Sequence, residues 1–322
     1  MKLETLEGLD SYWRNAAYSL RWECPFVLPP WLQVWWRIFA EGLPPHICLV
    51  SCEEEPIGMA PIVVQAQEAR FLGDPDVCDY LDFVVAPGQG QQFFQVLLQY
   101  LREQGVNRLN LGLVRPESMV LTELAARAAA EKCQVSSRQE DVILELMLPP
   151  TWEDFLQQLT AKERHETRRK LRRLYNSGQV NFHLVQQVSE VREKMEIFLA
   201  LFGLSRADKA AFMTEQMRTY FRELAEAMAE ARLLKLFFLE IDGEAAAAAM
   251  CFDYNSRVYL YNNGYDARFS SLSVGLLSKI LSIRDSIGRG LKIYDFLKGN
   301  EPYKRRLGGK PVPLYRCEIV LE

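Results

Sequence analysis

Two short loops of small residues have the composition of a phosphate-binding site. They are Gly88-Gln89-Gly90 and Ser273-Val274-Gly275, and each precedes a segment whose apolar spacing predicts a helix. The first amides of a helix are free to donate hydrogen bonds, the helix dipole favours an anion, and small residues let a ligand approach the backbone. The loops therefore predict a phosphate or pyrophosphate site, with a helix cap that binds no ligand as the alternative.

A basic segment could bind an anion as well. Residues 162–173 carry seven basic and two acidic side chains, which gives this stretch a net charge of +5. Helical spacing places Arg164, Arg168 and Arg172 on one stripe. Such a stripe suits an anionic partner, and a solvated helix face is the alternative.

Composition excludes several classes of protein. The chain has 322 residues, 49 % of them hydrophobic, and a formal net charge of −4, which argues against nucleic-acid binding over the whole surface. The longest apolar run, 245–252, is too short to span a membrane, and the N-terminus has no signal-peptide core, so a cytoplasmic protein is expected. Seven Cys without a Cys-x-x-Cys pair and three scattered His predict neither disulfides nor a metal site.

The order of predicted elements occurs twice. Each half of the chain reads hairpin, strand, small-residue loop, helix and strand, and a shift of 185 residues places Gly105 on Gly290. We therefore expect an α/β fold with two similar halves, each a mixed, mostly antiparallel sheet flanked by helices. Pro149-Pro150 marks the boundary between residues 1–150 and 151–322, and the second half has additional helices at about 188–231.

An antiparallel hairpin followed by strand, loop, helix and strand resembles the GNAT acyltransferases. Their pyrophosphate loop reads Gln/Arg-x-x-Gly-x-Gly/Ala. The segment 270–275 keeps its last position, whereas 85–90 keeps both glycines and lacks the Gln or Arg. The resemblance implies that the donor site is formed by Ser271, Ser273, Val274, Gly275, Arg168 and Arg172.

A more specific resemblance covers nearly the whole chain. The motifs are similar to those of the BioF2-like or CelD-like acetyltransferase family, whose fold is similar to that of the FemABX peptidyltransferases. The segments that carry it include 25–35, 56–61, 162–174, 264–266 and, most specifically, 294–304, which reads YDFLKGNEPYK. The resemblance implies two GNAT-like halves, with catalysis in the second.

Three functions remain open for a chain with these resemblances. The first is transfer of an acyl group from acetyl-CoA or another acyl-CoA to an amine or hydroxyl of a small-molecule or sugar-nucleotide acceptor, without a metal. The second is a FemABX-like ligase that takes its acyl group from aminoacyl-tRNA. The third is a ligand-binding protein of the same fold that does not catalyse a reaction.

The strand at 291–297 would lead from the donor helix to the thioester. Asp295 is its only acidic residue and could orient the nucleophile or accept its proton. Lys304 could return to the same place and stabilise the developing oxyanion, and Tyr303 could protonate the leaving thiolate. A loop-capping Asp295, a solvated Lys304 and a packed Tyr303 are the structural alternatives.

Overall fold

The computed structural model describes residues 1–40 and 45–321. Within it, the chain divides into two compact units, Met1–Val142 with Val312–Glu322, and Ile143–Pro311. The sequence analysis placed the last residues in the second half. They group with the first unit because the last strand of the chain pairs with a strand of that unit. As domain boundaries, 1–150 and 151–322 stay a prediction.

Single strands and runs of two or more strands are separated by helices along the chain. Their bounds are β1 (Lys2–Glu4), α1 (Leu9–Arg14), α2 (Pro29–Phe39), β2 (Pro45–Cys52), β3 (Glu55–Gln65), β4 (Glu68–Phe71), β5 (Val84–Val85), α3 (Gly90–Glu103), β6 (Arg108–Val114), α4 (Ala125–Ala130), β7 (Gln134–Met147), α5 (Trp152–Gln158), α6 (Ala161–Tyr175), β8 (Val180–Val185), α7 (Val188–Ser205), α8 (Ala207–Phe212), α9 (Glu215–Glu230), β9 (Leu234–Ile241), β10 (Glu244–Tyr254), β11 (Arg257–Tyr265), α10 (Val274–Gly288), β12 (Ile293–Lys298), α11 (Pro302–Arg306) and β13 (Lys310–Val320).

The first unit is built on a mixed sheet with the strand order β1-β2-β3-β4-β6-β13. Neighbouring strands are antiparallel except β4 and β6, which are parallel. Helix α3, between β4 and β6 in the chain, buries Phe93, Phe94 and Leu97 in the core because their spacing puts them on one helical face.

The second unit repeats this arrangement with the order β7-β12-β11-β10-β9-β8. Here β11 and β12 form the parallel pair, and α10 connects them. The β9–β10 turn has Asp242 and Gly243 at φ values of 51° and 84°, as a two-residue hairpin turn requires. Both units therefore confirm the predicted mixed, mostly antiparallel sheets flanked by helices.

Two segments differ from what the sequence pattern predicts. The pattern predicts a strand over 80–85, but only β5 forms, because the Asp82 carboxylate accepts hydrogen bonds from the amides of Phe83 and Met119. The pattern predicts a loop for the segment with Lys304, which instead lies in the short helix α11 that begins at Pro302. Among the described residues, no helix is long and apolar enough to cross a membrane.

Candidate active site

A cleft forms in the second unit where two parallel strands part. Strands β11 and β12 pair from Arg257 opposite Ile293 to Tyr259 opposite Asp295, and the described residues beyond this point form no further β11–β12 pairs. A cavity of about 260 Å³ lies at the start of α10. The residues that line it are Tyr265, Ser270, Ser273, Val274, Gly275, Leu276, Lys279, Tyr303 and Arg306.

The start of α10 presents unused backbone donors to this cavity. Ser273 precedes the helix with a left-handed φ of 59°, and its carbonyl accepts from the amides of Leu276 and Leu277. Within the described chain, the amides of Val274 and Gly275 have no acceptor. The dipole of a fifteen-residue helix also points its positive end here. This arrangement suits an anion.

Gly275 has a packing role in addition to the predicted one. A Cβ at this position would lie 2.6 Å from the Tyr265 ring, so only glycine allows Tyr265 to pack on the first turn of α10. The sequence pattern accounts for a small residue here only by the close approach of a ligand to the backbone. The structure adds that Gly275 fixes the end of β11 against α10.

Cations surround the helix start, and the residues lining the cavity include no carboxylate. Lys170 of α6 donates to the Ser273 hydroxyl at 3.0 Å. Arg306 of α11 is exposed and forms no hydrogen bond or ion pair with the described residues. Arg306 and the two free amides thus face the same space, and Lys170 lies beside it against the Ser273 side chain.

The predicted donor residues Ser271, Arg168 and Arg172 do not line the cavity. Arg168 is exposed and pairs with Glu153 at 3.2 Å, and Arg172 is exposed as well. Lys170 lies on a different side of α6 from Arg168 and Arg172, and this side of the helix reaches Ser273. Ser270, the neighbour of Ser271, lines the cavity in its place.

Lys279 is the functional candidate that the sequence analysis missed. Its Nζ donates to the Gly275 carbonyl at 2.6 Å and lies 4.8 Å from the centre of the Tyr303 ring. Burial, together with the charges of Lys209 and Lys304, lowers the pKa of Lys279 to about 7. The available signal was a lysine on the apolar helix segment 274–283.

Tyr303 is the predicted catalytic residue that the structure places in the cavity wall. Its ring packs against Phe296 at a centroid distance of 6.3 Å. Burial raises the pKa of Tyr303 well above its ordinary value, and the Glu301 charge adds to this effect. Its hydroxyl therefore stays protonated and can donate a hydrogen bond.

Lys304 is buried away from the cavity lining, with 2 % of its surface exposed. Its Nζ donates to the carbonyls of Leu297, Lys298 and Gly299 at 3.1, 2.6 and 3.2 Å, and pairs with Glu301 at 2.9 Å. These contacts occupy the ammonium hydrogens and hold the loop after β12. In this arrangement Lys304 positions the loop.

Asp295 is fully buried and faces away from α10. The hydroxyl of its neighbour Tyr294 shares a hydrogen bond of 2.7 Å with Ser282 on α10, and consecutive strand residues point to opposite faces. The Asp295 carboxylate accepts from the Leu297 amide at 2.8 Å and lies 3.9 Å from Arg257. It supports a β-bulge in which Leu297 has a φ of 58°.

The corresponding helix start in the first unit has a carboxylate beside it. A Cβ at Gly90 would overlap the carboxylate of Glu123, which lies against the first residue of α3. A second anion is therefore disfavoured near this helix start. Among the described residues, no three His, Cys, Asp or Glu side chains are grouped closely enough to hold a metal ion.

Comparison with known proteins gives one family match, which lies in the second unit. Residues 161–305 match the family model for the acetyltransferase (GNAT) domain. Search of the curated proteins gave no match. Among solved structures, FemX has a TM-score of 0.67 at 11 % identity, covering 98 % of this chain and 97 % of that one.

Two further structures share the fold. A conserved protein of unknown function from Bacteroides thetaiotaomicron has a TM-score of 0.63 at 12 % identity, over 99 % of this chain and 98 % of that one. L-PGS from Bacillus licheniformis has a TM-score of 0.54 at 11 % identity, over 90 % of both chains. These likenesses confirm the predicted GNAT-like and FemX-like fold.

Proposed function

We propose that this protein transfers an acyl group from an acyl-CoA to an amine or hydroxyl of a small-molecule or sugar-type acceptor, because residues 161–305 match the family model for the acetyltransferase (GNAT) domain. The observation that carries the proposal is the start of α10, where the free amides of Val274 and Gly275 face a cavity that Arg306 also lines.

The donor pyrophosphate fits this helix start. Its charge would be met by the helix dipole, by the two free amides and by the exposed Arg306 guanidinium. The first unit offers no equal site, because Glu123 lies at the start of α3. The thioester would then extend toward the gap between β11 and β12.

Two side chains in the cavity wall can assist such a transfer. The Lys279 amine is partly neutral near pH 7 and can accept a proton from the attacking amine. The Tyr303 hydroxyl, which stays protonated, can stabilise the leaving thiolate by donating a hydrogen bond to it. Asp295 and Lys304 act in this proposal as positioning residues, since they hold the end of β12 and the loop after it.

A second candidate, an aminoacyl-tRNA-dependent ligase, is favoured by the exposed arginines of α6. Arg168, Arg172 and Arg173 are exposed on one helix of the same unit as the cavity. Basic side chains of this kind neutralise nucleic-acid phosphates. Sensitivity of the transfer to ribonuclease separates this activity from acyl-CoA turnover.

The test is turnover of acetyl-CoA and longer acyl-CoA donors with a panel of amines, hydroxyl compounds and nucleotide sugars, followed by detection of the free thiol. Thiol release that depends on an acceptor and resists ribonuclease supports the proposal. Transfer only from charged tRNA favours the second candidate. Acyl-CoA binding without turnover, across the panel, contradicts both.

Arg306 and Arg305 provide a matched pair of variants. Arg306 lines the cavity, whereas the exposed Arg305 bonds to the side chain of Asn300. Loss of one charge-assisted contact typically costs about 1.5–3 kcal/mol, so Arg306→Gln should raise KM for the acyl-CoA about tenfold. Arg305→Gln should leave KM near that of the wild type. Equal effects in the two variants would contradict the assignment of Arg306 to the donor.

A further inference from the structure

Lys279 is a nucleophile in the wall of the donor cavity. The polar side chains that line this space are hydroxyls, the Arg306 guanidinium and the Lys279 amine. Near neutral pH an unprotonated amine is a far better nucleophile than a serine or tyrosine hydroxyl that has no partner base. Lys279 is therefore the lining residue most able to react with a thioester.

We propose that Lys279 itself accepts the acyl group from a bound acyl-CoA when no acceptor is present, and so becomes a stable acyl-lysine. This inference rests on the proposed function, because it requires the same donor in the same cavity. It names a covalent modification site that the transfer reaction does not need.

The step is balanced without another reactant. The lone pair on Lys279 Nζ attacks the thioester carbonyl carbon, the carbon–sulfur bond breaks, and the thiolate leaves. Nζ loses one proton, which the thiolate takes up. The products are an amide on the protein and a free thiol.

The surroundings of Lys279 disfavour its ammonium form. Its side chain is 6 % exposed, and the positive charges of Lys209 and Lys304 act against a further charge, with Glu301 as the opposing carboxylate. Burial and Lys209 are the larger causes that lower its pKa to about 7. A substantial share of the amine is neutral at physiological pH, which is the form that attacks.

The same surroundings accept the product. An acylated lysine keeps one N–H, which can still donate to the Gly275 carbonyl that Nζ now contacts at 2.6 Å. The amide carries no charge, so the cost of burying an ammonium disappears. The acyl group would lie in the cavity of about 260 Å³ and block the donor.

Two neighbouring lysines provide internal comparisons. Lys304 is as buried as Lys279, but its ammonium donates to three carbonyls and pairs with Glu301, and acylation would break these contacts. Lys209 donates to the Asn263 carbonyl at 2.5 Å and does not line the cavity. Selective modification of Lys279 is therefore expected.

The experiment incubates the full-length protein with acetyl-CoA in the absence of acceptor and measures acetylation at each lysine by peptide mass spectrometry. We expect modification of Lys279 to exceed that of Lys209 and Lys304 by at least about tenfold, as a positioned nucleophile should. The rate should rise through pH 7, where the amine becomes neutral. Desulfo-CoA, which has no thioester, should suppress it, and Lys279→Arg should remove it.

Two outcomes overturn the inference. One is acetylation spread evenly over the exposed lysines, and the other is an unmodified Lys279. Turnover with acceptors is measured on the same sample. It shows whether acyl transfer, the proposed function, is absent as well when Lys279 stays unmodified. Trace labelling with acetic anhydride needs no CoA site. A Lys279 that reacts with the anhydride and not with acetyl-CoA refutes self-acylation, even when turnover is normal.

Discussion

The buried amine of Lys279 should make the stability of the protein depend on pH in a way that one substitution removes. In the unfolded chain this lysine has its ordinary pKa of 10.5, and in the folded protein burial and the charges of Lys209 and Lys304 lower that pKa to about 7. Lys279→Met keeps the length and apolar stem of the side chain and removes the titrating group.

The direction follows from proton counting. Below pH 7 both states hold the proton, and the folded protein bears the full cost of burying the ammonium. Between pH 7 and 10.5 the unfolded chain binds more protons than the folded one, so the free energy of unfolding rises with pH. From about pH 6 to about pH 9 this gain amounts to about 2–3 kcal/mol in the wild type. The variant lacks it.

The measurement is urea unfolding of the wild type and Lys279→Met at both pH values. The stability advantage of the variant should shrink by about 2–3 kcal/mol between about pH 6 and about pH 9. Lys292→Met, at an exposed lysine of the same unit, is the control, and its effect should be equal at both pH values. A wild-type–variant difference that stays constant within about 0.5 kcal/mol would refute a buried, largely neutral Lys279.

Three further predictions concern residues that hold the site together. Lys304→Met should lower the free energy of unfolding by about 2–4 kcal/mol because three carbonyls lose their donor, and unchanged stability with lost turnover would instead indicate a chemical role. Asp295→Asn keeps an acceptor for the Leu297 amide, so kcat should fall by less than about tenfold, and a larger loss in a folded variant would return Asp295 to the chemistry. Gly264→Ala should destabilise by about 1–3 kcal/mol, because its Cβ would overlap the backbone of Leu201 and Phe202. Gly203 lies in α7, the helix that contains Leu201 and Phe202, and has open space around it. Gly203→Ala should therefore leave the melting temperature unchanged or raise it.

The sequence predicted the elements of the second unit closely. The apolar pattern predicts strands at 180–185 and 257–265 and a helix at 273–289. Both strands have these bounds, and α10 differs from the predicted helix by one residue at each end. These segments have clear apolar periodicity and end at Gly or at polar turns, so local pattern and tertiary packing agree.

Which side chains of the second unit face the cavity could not be predicted from the sequence pattern. Alternation along a strand tells which residues share a face and does not tell which face carries the helix, and Asp295 proved to lie on the face away from α10. Helical spacing grouped Arg168 with Arg172, whereas the packing of α6 in the second unit brings Lys170 to the Ser273 side chain. The depressed pKa of Lys279 depends on charges from α8 and α11, far away in the sequence.

The carboxylate of Glu123 is held beside the first residue of α3 by the chain itself. A group held on the same chain acts at an effective concentration that is typically millimolar or more, so it disfavours a second anion nearby more than a carboxylate in solution would. The two units therefore share one architecture but differ in the charge beside the corresponding helix. A carboxylate lies next to the start of α3, whereas the residues lining the cavity at the start of α10 include none.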